Sequence, residues 1–233
     1  MAGHQKRISA PTSWAITRKT HKWAVKPVPG PHSKKRCVPL AIVLRDMLKL
    51  GDNIKEIRYM LDSKQIIVDG KVIRDHKFPI GIFDVVSISA IKTHYRVLLD
   101  PRGRFTLHKI KDSNVKLCRI NNKTVVRGGM VQLNLHDGSN IIGSNEYRSG
   151  DSVVLKLPER KIVKRLEYKP GNLVMVVGGR HSGEIGTIKE LIEVRSSRPN
   201  MVTVKSDKEF ETTKDYVFVI GTEKPDIDLE VRK

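Results

Sequence analysis

The chain has 233 residues, of which 39% are hydrophobic and 30% charged, and its 44 Lys and Arg against 25 Asp and Glu leave a net charge of +19. So large an imbalance repels itself and calls for a polyanionic partner, nucleic acid or an anionic membrane. No apolar run approaches the ~20 residues that cross a bilayer, no secretory signal is expected at the N-terminus, and with only Cys37 and Cys118 and no Cys-x-x-Cys neither a disulfide framework nor a cysteine zinc site is expected. The charge is unevenly placed. Residues 1–36 carry 9 basic and 0 acidic side chains, residues 37–93 carry 9 and 7, residues 94–170 carry 16 and 7, and residues 171–233 carry 10 and 11. These composition changes set four expected segments: an extended basic N-terminal arm (1–36), a first folded module (37–93), a basic β-rich central domain (94–170) and a C-terminal module (171–233).

The arm is poor in branched aliphatics, so it cannot bury enough surface to offset its ordering entropy by itself. Pro11, Pro27, Pro29 and Pro31 exclude the long amphipathic helix that membrane binding would need. Both tryptophans, Trp14 and Trp23, lie here among Lys6, Arg7, Arg18, Lys19, Lys22, Lys26, Lys34, Lys35 and Arg36. An indole beside cations stacks favourably on a nucleobase; the alternative is that the two indoles pack back onto a folded domain. The first reading expects an arm that is loose alone and orders along phosphates.

In the first module Leu40, Val43, Leu44, Met47 and Leu48 recur at helical spacing after Pro39, and Gly51 ends the run. Asn53 can cap a second helix with Glu56 as its capping-box partner, and Ile54, Ile57, Met60 and Leu61 form the apolar stripe. Two strands at 65–68 and 71–74 flank Asp69-Gly70, a favoured hairpin turn, and a third strand is expected at 84–89. Arg45 and Lys49 would share one face of the first helix; Lys55, Arg58 and Tyr59 lie opposite Ile54 and Ile57 on the second.

From 94 to 170 the pattern is short β alternation. Strands at 95–99 and 104–110 flank the turn Asp100-Pro101-Arg102-Gly103, where Arg102 and Arg104 are candidate phosphate contacts or a solvated tip. Val131, Leu133 and Leu135 alternate with Gln132, Asn134 and His136 before the turn at Asp137-Gly138. After Pro170-Gly171, a strand at 173–177, a turn containing Gly178, Gly179, Gly183 and Gly186, and a strand at 187–191 complete the pattern. No Gly-Lys-Ser/Thr follows those glycines, which excludes a P-loop. The eight histidines form no metal-ligand spacing, and His181 with Glu184 reads as a turn hydrogen bond rather than an acid–base pair. No catalytic residue, metal, cofactor or small-molecule substrate is implied.

Two helices followed by a hairpin, with Leu44-Arg45-Asp46, Lys55-Glu56-Ile57-Arg58 and Val68-Asp69-Gly70-Lys71-Val72 in that order, resemble the S-four-like (alpha-L) RNA-binding module. That resemblance implies that Arg45, Lys49, Lys55, Arg58, Tyr59 and Lys71 face RNA. The chain departs from it at Lys64, where the family has Gly after the second helix. The strand–glycine turn–strand from 173 to 191 resembles the KOW motif, a small SH3-like barrel. The stretches 26–32, 44–46, 78–85 and 128–138 together resemble the S-four-e (S4e) group of small-subunit ribosomal proteins of archaea and eukaryotes. The fold class expected is α+β and multi-module. The resemblance implies a cytoplasmic, ribosome-bound constituent of the small subunit, partnered by small-subunit rRNA and neighbouring ribosomal proteins. Two other classes stay open: an RNA-modifying enzyme or its accessory, since S-four-like modules occur on pseudouridine synthases, and a KOW-type transcription elongation factor.

Overall fold

The computed structural model describes residues 4–229, and those residues divide into two compact units. One comprises the residues through Asp100 together with Arg104–Asn114; the other comprises Pro101–Gly103 and the residues from Val115 onward. Strands dominate both; α-helix among the described residues is confined to short stretches of the first, and the second has one 3-10 turn, Lys214–Tyr216.

In the first unit, β1 (Gln5–Lys6) pairs with β2 (Trp23–Ala24), closing the N-terminal segment into a loop. A 3-10 turn, Lys34–Arg36, leads to β3 (Val38–Pro39) and α1 (Leu40–Ile42), which runs on as a five-residue π turn, Val43–Met47. The apolar spacing from Leu40 to Leu44 is fully buried there. Lys49 does not extend that helix: it stands beyond its end at φ +55°, so Arg45 and Lys49 do not share a helix face. Helix α2 (Ile54–Asp62) starts at Asn53 and buries Ile57 and Leu61. Glu56 Oε2 accepts from the Asp52 amide at 2.9 Å, and the Asp52 and Asn53 amides hold its carboxyl below the ordinary range. Lys64 ends the helix at φ +56°, so the left-handed cap is made without glycine.

Strands β4 (Ile66–Val68) and β5 (Lys71–Val72) meet across Asp69-Gly70, both at positive φ as a type I′ turn requires. Then come β6 (Pro79–Ile80), which pairs with β3, β7 (Val85–Ile88), β8 (Thr93–Leu99) and β9 (Phe105–Ile110). The antiparallel sheet runs β5-β4-β7-β8-β9. This corrects the boundary expected at residue 93. Strands β8 and β9 extend the first module's sheet because Val86 pairs with Tyr95 and Val97 with Leu107, and Val97 and Phe105 join the same apolar core as Leu40, Ile57 and Ile66.

The arm is corrected too. Ala10 and Trp14 belong to that core, Trp14 is 2% exposed, and its Nε1–H donates to the Cys37 carbonyl at 2.6 Å. The Phe105 amide donates to the Ser13 carbonyl at 2.8 Å and the Val28 amide to that of Lys77 at 3.1 Å. At the arm's far end His32 Nε2 meets Asp84 Oδ2 at 2.9 Å, both side chains buried, and Asp84 also accepts from the Gly81 amide at 2.8 Å. A Cβ at Gly81 would stand 2.4 Å from the His32 ring, so only glycine lets the imidazole reach its carboxylate. Sparse aliphatics hid this: one indole, one imidazole and chain amides do the packing that periodic leucines do elsewhere.

The second unit holds two five-stranded antiparallel sheets. One runs in the order β12 (Asn140–Gly143), β11 (Val131–Leu135), β10 (Val115–Val125), β13 (Ser152–Lys156), β14 (Lys161–Leu166). The other runs β18 (Glu209–Thr213), β17 (Met201–Lys205), β16 (Ile185–Ile192), β15 (Leu173–Val176), β19 (Val217–Gly221). Buried Arg119 joins them, donating to the Asp215 carbonyl at 2.7 Å and lying 4.6 Å over the Phe218 ring. In the glycine-rich turn, Gly183 takes φ +82°, whereas Gly186 is needed for space, since a Cβ there would lie 2.6 Å from the Lys205 carbonyl oxygen.

Candidate nucleic-acid interface

The structure separates the cations expected to face RNA by what they already hold. Arg7 is buried: its guanidinium donates to the Thr17 carbonyl and pairs with Asp46 at 3.6 Å. Arg45 pairs with the same carboxylate at 2.8 Å. Arg18 clasps the carbonyls of Ile8, Ala10 and Pro11, each at 3.0 Å. Arg7 and Arg18, with buried Trp14, hold the N-terminal loop in shape, while Arg45 shares the Asp46 carboxylate with Arg7. All three thus have donors engaged within the protein.

Most of the remaining residues lie at the surface of the first unit. Trp23 is 49% exposed, with the Lys22 ammonium 5.2 Å above its ring and His4 stacked obliquely at 5.4 Å. Lys6 stands opposite Trp23 in the β1–β2 ladder, and exposed Lys19 and Lys22 precede it in the same loop. Lys26 is partly buried. Lys34, Lys35 and Arg36 make up one 3-10 turn, all exposed. On α2, Lys55, Arg58 and Tyr59 fall three and four residues apart, hence on one face; all are exposed, Tyr59 by 72%. Lys49, Lys71 and Arg104 are exposed singly, and in the second unit Arg102 is exposed at a turn. An aromatic ring among cations binds a phosphate chain and stacks a base at the same point, and the surface around Trp23 and that around Tyr59 both have this make-up.

Two cations outside the expected group, Lys64 and Arg74, line an open groove with Val72, Ile73, Asp75 and Phe78. Lys64 was legible in sequence as a non-glycine helix cap, and Arg74 only as the end of the strand expected at 71–74. Their convergence depends on the hairpin turning the chain back past residue 64.

Neither cysteine is placed for chemistry. Both are buried, and burial, with Asp84 adding to it, pushes the Cys37 thiol up to about 11, so it remains protonated at neutral pH. His181 Nδ1 meets Glu184 Oε1 at 3.0 Å while its ring stacks on Phe210 at 3.9 Å. That is the expected turn contact, with an aromatic partner that sequence alone did not reveal. Among the described residues no helix is long and apolar enough to cross a membrane.

Comparison with known proteins gives matches to three family models: Ribosomal family S4e over residues 91–162, the RS4NT (NUC023) domain over residues 2–35, and the KOW motif over residues 170–205. The small ribosomal subunit protein eS4 of Methanocella arvoryzae is 52% identical over 223 residues, covering 95% of each chain. That of Archaeoglobus fulgidus is 50% identical over 232 residues, covering 98% of each. A crystal structure of the 30S ribosomal protein S4e from Thermoplasma acidophilum superposes with a TM-score of 0.70 at 32% identity, covering 81% of this chain and 96% of that one. Identity of this extent over nearly the full length of both partners establishes the relationship: this chain belongs to the S4e family of ribosomal proteins.

Proposed function

We propose that this protein is a structural, non-enzymatic constituent of the small ribosomal subunit that binds small-subunit rRNA and stabilises its fold. Family membership supports the ribosomal role. The observation that carries RNA binding is the grouping of exposed cations around two exposed rings, Lys6, Lys19 and Lys22 with Trp23 and Lys55 and Arg58 with Tyr59, together with the exposed basic turn Lys34–Arg36. Lys and Arg neutralise phosphates where RNA helices converge and release counterions, while the rings stack on unpaired bases. Recognition on this reading is of RNA shape. On this reading the first unit, with the arm packed into it, is the principal RNA grip, and the charge-balanced C-terminal segment faces neighbouring ribosomal proteins or makes weaker RNA contacts.

The full-length relatives carry small-subunit names, so the KOW motif and the S-four-like helices give no separate ground for an elongation factor or an RNA-modifying enzyme. Co-sedimentation tests the proposal. The purified chain should travel with small ribosomal subunits stripped of their salt-labile proteins and leave them only at high salt. Co-purification with RNA polymerase, or failure to bind the stripped subunits, would overturn it.

A further inference from the structure

The groove between the turn that follows α2 and the end of β5 with the loop after it has features that ordinary phosphate binding does not require. It is open, with a volume of about 610 Å³, and is lined by Lys64, Val72, Ile73, Arg74, Asp75 and Phe78. Ile73 and Phe78 are anchored against the core, so the floor is fixed. Val72 is 46% exposed and presents its isopropyl group to water on a short edge strand. Around this apolar floor the charge is positive. Lys64 and Arg74 stand in the lining. The one lining carboxylate, Asp75, is engaged by the Lys77 amide at 2.8 Å and by His76 at 3.5 Å.

An apolar floor under a cationic rim fits an occupant that is flat, apolar on its faces and joined to negative charge. We propose that the groove seats a single unpaired nucleobase turned out of structured RNA, its ring against Val72, Ile73 and Phe78 and its flanking phosphates on Lys64 and Arg74. This rests on the RNA-binding reading and adds to it a site for one base. The volume lies within the usual range for small-molecule sites, ~300–1,000 Å³. A paired A-form helix cannot use the floor, because its bases are stacked inside and its major groove is too narrow for side chains; splayed bases are what proteins stack on apolar rings. A peptide adding a strand is disfavoured, since β5 is only two residues long and the Ile73 amide is already bonded to the Ile66 carbonyl at 3.2 Å.

The test uses the full chain and two RNA hairpins that are identical except for one bulged 4-thiouridine. The bulged hairpin should bind at least about fivefold more tightly, the lower end for one stacked base, and its photo-crosslink should map to the peptide carrying Val72–Phe78. Val72→Glu should weaken both complexes and remove the preference. Val72→Lys should remove the preference and the crosslink without weakening the paired hairpin, which separates the apolar seat from the charge. Equal affinity of the wild type for both hairpins, or a crosslink elsewhere, overturns the base site while leaving RNA binding intact. Failure to bind either hairpin overturns both readings.

Discussion

Trp14 and Trp23 have the same flanking chemistry in sequence and opposite surroundings in the fold. Trp14 is buried with its Nε1–H on the Cys37 carbonyl, while Trp23 stands half out under the Lys22 ammonium. Trp14→Phe should therefore lower stability by ~1–3 kcal/mol, because it leaves a buried carbonyl without its donor. Trp23→Ala should leave stability within ~0.5 kcal/mol yet weaken RNA binding by ~1–3 kcal/mol. Urea unfolding and RNA titration on the two variants would show the split; a Trp23 variant with unchanged affinity would remove that ring from the interface. Asp137 offers a second contrast. Its carboxylate lies 3.0 Å from Lys116 Nζ, both side chains buried, and accepts from Ser139 Oγ at 2.6 Å. Burial pushes the carboxyl up, but the Lys116 charge, the Ser139 hydrogen bond and His136 outweigh it and hold it well below the ordinary 3.8. Because the folded value is depressed, the pair stabilises the protein above about pH 4 and loses that contribution as pH falls below it. Asp137→Asn should cost ~3–5 kcal/mol at neutral pH, since the buried ammonium loses its carboxylate. It should also flatten the acid limb of stability between about pH 4 and 2, as urea midpoints across that range would reveal.

At the scale of elements, the arm decides how its own role can be tested. Deleting residues 1–36 would remove Ala10 and Trp14 from the core of the first unit, so a failure to bind RNA would report unfolding. Neutralising the exposed 3-10 turn avoids this. The triple change Lys34→Gln, Lys35→Gln and Arg36→Gln should leave the thermal midpoint unchanged, as none of the three is buried. It should reduce the slope of log affinity against log salt by about 2–3, at roughly 0.7–0.9 for each phosphate no longer neutralised. An unchanged slope would take the turn out of the interface. The two helices differ in how plainly the chain announced them. Ile54 to Leu61 repeats at helical spacing behind Asn53 and Glu56, and α2 forms there. The first helix widens from an α turn into a π turn, and Lys49 beyond it stands out of helical register at φ +55°. Side-chain spacing contains no signal for that change of pitch.

For the whole molecule, a charge of +19 repels itself and favours a polyanionic partner, which the proposed function takes to be RNA phosphate. RNA affinity of the full chain should fall by ~10³–10⁵ between 50 and 200 mM salt if 6–10 phosphates are bound. A fall of less than about tenfold in such a titration would contradict phosphate neutralisation as the main source of affinity. The same charge count could not say which cations remain available. Arg7, Arg18 and Arg45 resemble Lys34 and Lys55 in sequence, but they close on Asp46 and on carbonyls brought near by the loop's own path.

What the residues alone determined follows from local chemistry: the helical stripe of α2, the Asp69-Gly70 hairpin, the glycine turn before β16, the surplus of cations and the family. Each depends on neighbours within a few positions, where spacing and backbone preference suffice. Only the tertiary structure decided the rest. It put Trp14 inside and Trp23 outside, carried β8 and β9 into the first sheet, bound His32 to Asp84, and drew Lys64 and Arg74 around an apolar floor. Those outcomes turn on contacts between residues far apart in the chain, and no local pattern encodes which distant partner a side chain will find.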